Sequence, residues 1–308
     1  MERISIGLVG MGKIARDQHV PAIAQNPAFE LVAVASPHHR LEGVPHFDDV
    51  ATLLAAMPDV AALALCTPPQ TRYELARYAL ERGRHVMLEK PPGATLNEVE
   101  ALIDLATSHS VALFATWHSR EAAGVEPARL WLATRQVRSV AVTWKEDVRV
   151  RHPGQTWIWQ AGGLGVFDPG INALSIITRI LPGHIVLRDA ELAFPSNCET
   201  PVAATLVLHT DQGATVRMEV DFLQTGPQTW DIAIDTEDGS LLLSQGGSVL
   251  RIDDDPIVQG NDREYSNLYA HFATLVRQRR VDVDLTPFRL VGDAFMRGRR
   301  VVVEPFVE

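Results

Sequence analysis

With 308 residues the chain can bury about three quarters of its unfolded surface, so it needs no disulfide or metal staple, and two domains are the default expectation. Its 28 Lys and Arg stand against 38 Asp and Glu, a formal net charge of −10 with no basic block, which excludes a surface built for nucleic acid or anionic lipid. Cys66 and Cys198 lie far apart and outside metal-ligand spacing, and no apolar run approaches the ~20 residues that cross a bilayer.

Residues 3–9 read as a buried strand with no signal-peptide pattern ahead of it, so a cytoplasmic protein is expected. Gly10-Met11-Gly12-Lys13-Ile14-Ala15 follows, opening a helix with Ala15, Val20, Ile23 and Ala24 as its apolar positions. This is G-x-G-x-x-A between a strand and a helix. The first glycine makes the tight turn, the second admits a pyrophosphate to the backbone, and the helix N-terminus offers free N–H groups. A merely structural glycine turn is the alternative, and the strand–turn–helix context favours nucleotide binding.

A second strand, residues 31–35, ends at Ser36-Pro37-His38-His39-Arg40. The acidic residue that would hold the ribose 2′-hydroxyl of NAD is missing there. Ser36, His38 and Arg40 suit a 2′-phosphate instead, because Arg offers charge-assisted bonds and nothing nearby repels the anion. NADP is therefore the preferred cofactor, with NAD accepted as a second.

The β/α alternation continues through short strands at 44–47, 60–66, 85–88 and 111–114, with helices between them. Thr95 is the expected N-cap of a helix to about Ser108, with Glu98 at capping-box spacing. Continuous rather than alternating apolar runs imply a parallel sheet covered on both faces. Two strand ends carry prolines: Thr67-Pro68-Pro69, with Cys66 read as a small core residue, and Glu89-Lys90-Pro91-Pro92. Strand C-ends are where ligands bind in such sheets. A lysine there suits a substrate hydroxyl or a developing alkoxide, although taken alone Lys90 reads equally well as a solvated turn residue.

After Phe114 a helix to about Thr134 is expected, and the strands then lengthen and alternate. Val216, Met218, Val220 and Phe222 oppose Thr215, Arg217, Glu219 and Asp221, and Trp230, Ile232 and Ile234 oppose Asp231 and Asp235. That is the pattern of an antiparallel sheet with one polar face. Two helices, about 262–277 and 287–297, close the chain. Within this part, Trp157 and Trp159 would share a side if extended, forming an aromatic wall for a sugar or simply core packing. Gly162-Gly163-Leu164-Gly165 then leads to a helix start that carries Asp168 and Asn172 at i, i+4, on one face. Asp168 before Pro169 also fits an N-cap, which would leave Asn172 and the glycine run unexplained.

The glycine motif, Glu89-Lys90-Pro91, and Gly162-Gly163 through Asp168-x-Gly170-x-Asn172 occur in the order and spacing of one family. The sequence resembles the Gfo/Idh/MocA oxidoreductases over essentially its full length. Within that family it is most similar to the bacterial aldose 1-dehydrogenases acting on L-arabinose and D-galactose. The runs 12–19, 87–96, 115–120, 144–147 and 162–176 carry the resemblance.

The resemblance implies an α/β plus α+β architecture. A doubly wound Rossmann domain spans 1–118, and a domain over 119–308 has a mostly antiparallel open sheet with helices on one face. It implies oxidation of the anomeric C1 hydroxyl of an aldopyranose to the aldonolactone. Gly10, Gly12, Lys13, Ile14, Ser36, His38, Arg40, Thr67, Pro68, Glu89 and Lys90 would meet the cofactor. Asp168, Lys90 and Asn172 would be catalytic. The wider family carries a histidine where Asn172 stands, and an amide cannot titrate, so Asp168 becomes the expected base. His118, Glu146, His152, Trp157, Trp159 and Trp230 join Lys90, Asp168 and Asn172 as expected sugar contacts. No metal is expected. The exposed sheet face alternates Arg, Glu and Asp, which leaves oligomerisation undecided. Another polyol as substrate, or a sugar-sensing regulator without turnover, are the competing implications.

Overall fold

The computed structural model describes residues 2–308. In chain order its strands are β1 (Ile4–Val9), β2 (Phe29–Ala35), β3 (His46–Phe47), β4 (Ala62–Leu65), β5 (His85–Leu88), β6 (Leu113–Ala115), β7 (Val137–Lys145), β8 (Ile185–Pro195), β9 (Ala203–Thr210), β10 (Thr215–Asp221), β11 (Thr229–Thr236), β12 (Gly239–Ser244), β13 (Val249–Ile252), β14 (Asp255–Gln259), β15 (Val281–Asp282) and β16 (Arg299–Val303). They fall into two sheets, each in its own compact unit. One unit comprises residues 1–117 and 264–284, the other 118–263 and 285–308.

The first unit holds a seven-stranded sheet in the order β15-β6-β5-β4-β1-β2-β3, parallel throughout. Its strands are apolar without alternation because both faces are covered. On one face the helices Val50–Ala56, Pro69–Leu80 and Leu96–Ser108 bury Leu53, Ala76, Leu80 and Leu102. The last of these starts at the expected Thr95–Glu98 capping box.

The other face has only helix Val20–Gln25 from the first part of the chain, which leaves Phe29 and Phe114 without cover. Helix Glu264–Gln278 returns to supply it. Phe272 stacks on Phe29 with ring centroids 5.9 Å apart, and Tyr269 meets Phe29 edge-on at 5.5 Å. The chain thus leaves this unit at 117 and comes back over 264–284, rather than passing once from 1–118 into 119–308. The short edge strand β15 belongs to that return.

The helix after β1 departs from its expected periodicity. A π-type turn over Ala15–His19 inserts a wide turn before Val20. Such a turn shifts the inward face, and here Ala22 is buried where Ala24 is exposed.

The second unit holds a nine-stranded sheet in the order β14-β13-β12-β11-β7-β10-β9-β8-β16. It is antiparallel except for the pairs β7–β10 and β8–β16. Val216, Met218, Val220, Ile232 and Ile234 are buried, as their alternation implies. Arg217 and Glu219 face solvent, where Glu219 pairs with Lys145 at 2.6 Å. Helix Phe167–Ile180 is buried almost all round, and helices Val125–Leu132 and Thr286–Arg297 pack beside it. The helix expected after Phe114 is split into a 3-10 turn at His118–Glu121 and the helix Val125–Leu132. No helix among the described residues is long and apolar enough to cross a membrane.

His85, at the start of β5, gives the first unit an acid limit. Its Nδ1 accepts a hydrogen bond from the Ala112 backbone N–H at 2.8 Å. Burial, then Arg279 and Arg84, push its pKa down to about 4. The folded state therefore holds a neutral imidazole that the unfolded chain protonates near pH 6.5, so stability present above that pH is lost as pH falls towards 4. His85→Asn, whose amide oxygen can take the Nδ1 position and accept the same bond but does not titrate, should reduce the acid-side fall in Tm by roughly 2–4 °C between pH 6.5 and 4. Thermal melts across that range check it.

Candidate active site

In the first unit the expected cofactor residues gather at the C-terminal ends of β1, β2, β4 and β5. Gly10 has φ +87°, and a Cβ there would lie 2.9 Å from the Thr67 methyl and 3.1 Å from the Cys66 carbonyl carbon. The turn after β1 thus runs against the turn after β4, and only glycine fits. At Gly12 a Cβ would meet nothing within 4 Å, so the loop presents open space beside the helix start. Lys13 and Ile14 are exposed there, with Lys13 paired to Asp17. Ser36 is buried at the end of β2, its carbonyl accepting from His46 Nε2 at 2.7 Å. His38 and Arg40 are exposed just beyond it.

Arg72, which sequence reasoning missed, ties the two proline turns together. Its guanidinium is 3 % exposed and donates to the carbonyls of Thr67, Glu89 and Pro91. Lys90 stands between the latter two, half-buried, and the Lys90–Pro91 bond is cis.

Glu89, expected as a cofactor ligand, instead turns its carboxylate into the protein. Its Oε1 accepts from Tyr265 at 2.9 Å and from His19 Nε2 at 3.0 Å, and its Oε2 accepts the Lys90 backbone N–H at 3.1 Å. His19 Nδ1 meets the Tyr269 hydroxyl at 2.8 Å. Burial disfavours a charged His19, but Cys66, Tyr269 and Glu89 outweigh it and raise the imidazole well above its usual range. Burial, then Glu89, raises the Tyr265 phenol well above 10, and burial pushes Tyr269 up to about 12. Both phenols are therefore neutral at neutral pH, with Tyr265 donating to Glu89 and Tyr269 accepting from the protonated His19.

In the second unit Asp168 is 2 % exposed at the second position of helix Phe167–Ile180. Val166 is the N-cap, so the capping role open to Asp168 is not the one it takes. The glycine run has a steric reason. Gly165 has φ +54°, and a Cβ there would lie 2.3 Å from the Pro201 carbonyl oxygen. Half-buried Asn172 follows one turn along the helix.

His152, at the end of the short helix Val148–Arg151, has Nδ1 3.8 Å from Asp168 Oδ2 and Nε2 3.0 Å from Glu146 Oε1. The Trp230 indole N–H donates to Glu146 Oε2 at 2.9 Å. Asp168, His152, Glu146 and Trp230 thus form one connected group. The imidazole lies between two carboxylates that are each 2 % exposed.

Comparison with known proteins gives the family. The model of the oxidoreductase family with an NAD-binding Rossmann fold, GFO_IDH_MocA, matches residues 4–116. Galactose 1-dehydrogenase of Pseudomonas fluorescens is 45% identical over 320 aligned residues, covering 100% of both chains. The chain belongs to the Gfo/Idh/MocA oxidoreductase family.

The crystal structure of a D-galactose-1-dehydrogenase from Rhizobium etli superposes with a TM-score of 0.96 at 50% identity, covering 100% of this chain and 99% of that one. A 3-ketoreductase from Actinomadura kijaniata, crystallised with TDP-benzene and NADP, shares the fold at 20% identity and a TM-score of 0.87, covering 98% and 100%. The chain is thus an oxidoreductase and a full-length homologue of galactose 1-dehydrogenase. An NAD-binding family implies a dinucleotide, and the first unit suits one: the loop is open at Gly12 and no acidic side chain stands at 36–40.

For a family member of this kind the aromatic wall needs correcting. Residues Thr156–Trp159 form a 3-10 turn, so Trp157 and Trp159 do not alternate as in a strand. Trp159 packs on Phe306 and Phe222, at 4.6 and 5.6 Å between centroids. The stacked indoles are Trp144 and Trp230, 5.9 Å apart on neighbouring strands β7 and β11. His118 opens the 3-10 turn 118–121, which packs on helix Phe167–Ile180 through an Arg120 bond to the Ser175 carbonyl. Among the described residues no group of three or more His, Cys, Asp or Glu side chains is arranged to hold a metal.

Proposed function

We propose that this protein is an NAD(P)-dependent aldose 1-dehydrogenase that oxidises the anomeric hydroxyl of D-galactose or L-arabinose, as pyranoses, to the aldonolactone. The observation that carries the reading is the buried Asp168, held beside Asn172 and His152 in a chain that matches galactose 1-dehydrogenases from end to end. The two sugars share their C2–C4 configuration and differ only at C5, so one site chemistry serves both.

A bound nicotinamide would supply the hydride acceptor for C1. Asp168 takes the proton of the C1 hydroxyl, and the C1–O bond becomes the lactone carbonyl. Lys90 supplies the cation that stabilises negative charge developing on that oxygen. Asn172, which cannot titrate, orients the hydroxyl through its amide. His152 is kept in place by Glu146, and Glu146 by Trp230. These three, with His118 and Trp157, are the groups assigned to the remaining sugar hydroxyls and the ring face. Gly10, Gly12, Thr67 and Pro68 line the dinucleotide loop. Ser36, His38 and Arg40 favour a 2′-phosphate and hence NADP over NAD, since Arg offers paired charge-assisted bonds to phosphate.

Purified protein with NADP and an aldose panel should show absorbance growing in the reduced-nicotinamide band with D-galactose and L-arabinose; a flat trace across the panel sinks the reading. Asp168→Ala should lower kcat by ~10²-fold or more, and near-normal turnover would reassign the base. Arg40→Asp should shift the kcat/KM ratio about tenfold or more towards NAD, a change of about 1.4 kcal/mol. An unchanged ratio removes Arg40 from the phosphate site.

A further inference from the structure

A buried carboxylate beside Lys90 requires a reason. Glu89 is 4 % exposed, directly after the apolar run Val86–Leu88 of β5. Burying a carboxylate costs several kcal/mol unless it is paired and hydrogen-bonded, and an apolar residue of similar volume is often no less stabilising. Stability alone therefore does not call for Glu89. What the carboxylate does that an apolar side chain cannot is accept the Lys90 backbone N–H, at 3.1 Å, where the chain leaves β5. Arg72 holds the carbonyls on either side of Lys90, those of Glu89 and Pro91. The peptide units flanking Lys90 are thus fixed by side chains at both ends.

We propose that Glu89 is the positioning residue for Lys90, and that His19 and Tyr265 hold Glu89 in that role. His19 comes from the π-type turn that follows the glycine loop, and Tyr265 and Tyr269 come from one face of helix Glu264–Gln278 at i, i+4. The imidazole donates to the same carboxylate oxygen as Tyr265, and its other nitrogen meets Tyr269. The Tyr265 and Tyr269 rings flank it at 5.0 and 5.7 Å. A charged His19 balances Glu89, so the ammonium of Lys90 is not set beside an uncompensated buried anion.

Two segments distant in sequence therefore converge on one carboxylate oxygen, while the other oxygen accepts the Lys90 backbone N–H. The consequence for turnover rests on the catalytic role given to Lys90 above. The placement itself does not.

The sequence contains only three lysines, Lys13, Lys90 and Lys145, so Lys90 can be read chemically against internal references. Full-length protein treated with limiting acetic anhydride and mapped by mass spectrometry gives the reactivity of Lys90 relative to exposed Lys13. Glu89→Gln should raise that ratio about threefold or more, because the turn loosens once its Lys90 N–H acceptor is lost. His19→Ala, which leaves the carboxylate in place but loosely held, should raise it by a smaller factor through the same loosening, and His19→Gln, which keeps a donor towards Glu89, should recover most of the wild-type value.

NADPH affinity by fluorescence titration should stay within about threefold. Sugar turnover in Glu89→Gln should fall about tenfold or more in kcat, with less change in KM. A Lys90 ratio unchanged in a cooperatively melting Glu89→Gln overturns the proposal. Should that variant fail to fold, Tyr265→Phe, which removes one oxygen, carries the same test. Wild-type protein that oxidises no sugar but shows the ratio change would refute the proposed activity and leave the positioning intact. An active wild type with an unchanged ratio refutes the positioning alone.

Discussion

A parallel sheet must be covered on both faces, and much in the first unit follows from how this chain meets that demand. Three helices bury one face as the chain is laid down, but the other receives only the short helix after the glycine loop. The missing cover returns from residues 264–278, and its core is aromatic: Tyr269 and Phe272 against Phe29, and Phe272 against Phe114. The same helix carries Tyr265 one turn before Tyr269. An element required for burial is thus also the element that delivers two phenols to His19 and Glu89. Packing and polar chemistry are not separable there, because moving the helix to improve one would break the other.

The buried carboxylates of the two units are treated differently. Glu89 accepts from a phenol, an imidazole and a backbone N–H, all within normal hydrogen-bond distance, and its charge is spent inside the protein. Asp168 sits in the first turn of a long helix, where the macrodipole favours an anion. His152 lies in an ion-pair contact with it at 3.8 Å, and Glu146 holds that imidazole at 3.0 Å. The first arrangement suits fixing a chain segment. The second sets a carboxylate against an imidazole that a further carboxylate fixes.

Local pattern made much of this legible. Continuous apolar runs specify a two-sided parallel sheet, and strict alternation over 215–222 specifies a one-sided sheet. The glycine motif follows its strand, and Asp168 and Asn172 share a helix face. These are properties of neighbouring residues, and periodicity encodes them. What escaped depends on partners far apart in sequence or on departures from ideal geometry. His19 and Glu89 are 70 residues apart, and Glu89 and Tyr265 are 176 apart, so no window contains their bond. The π-type turn at 15–19 changes which alanine faces inward. The Trp157/Trp159 pair misled because two-residue spacing implies a shared side only in an extended strand, and Thr156–Trp159 is a 3-10 turn. Arg72 reads as an ordinary charged residue of a helix until the two proline turns close around it.

The substitution at position 172 gains meaning from the same geometry. The wider family that the sequence resembles places a histidine one helical turn after the aspartate; this chain has an amide there, which orients but does not exchange protons. An imidazole nevertheless reaches the Asp168 carboxylate from another direction, carried by residue 152 at the end of a short helix and fastened by Glu146, whose second oxygen is held by Trp230. A histidine on the same helix would be fixed by that helix alone. His152 depends instead on the register of β7 and β11, which brings Trp230 opposite Trp144, two residues before Glu146. Substitutions along that strand pair would reach the Asp168 carboxylate through His152 without touching the helix that bears it.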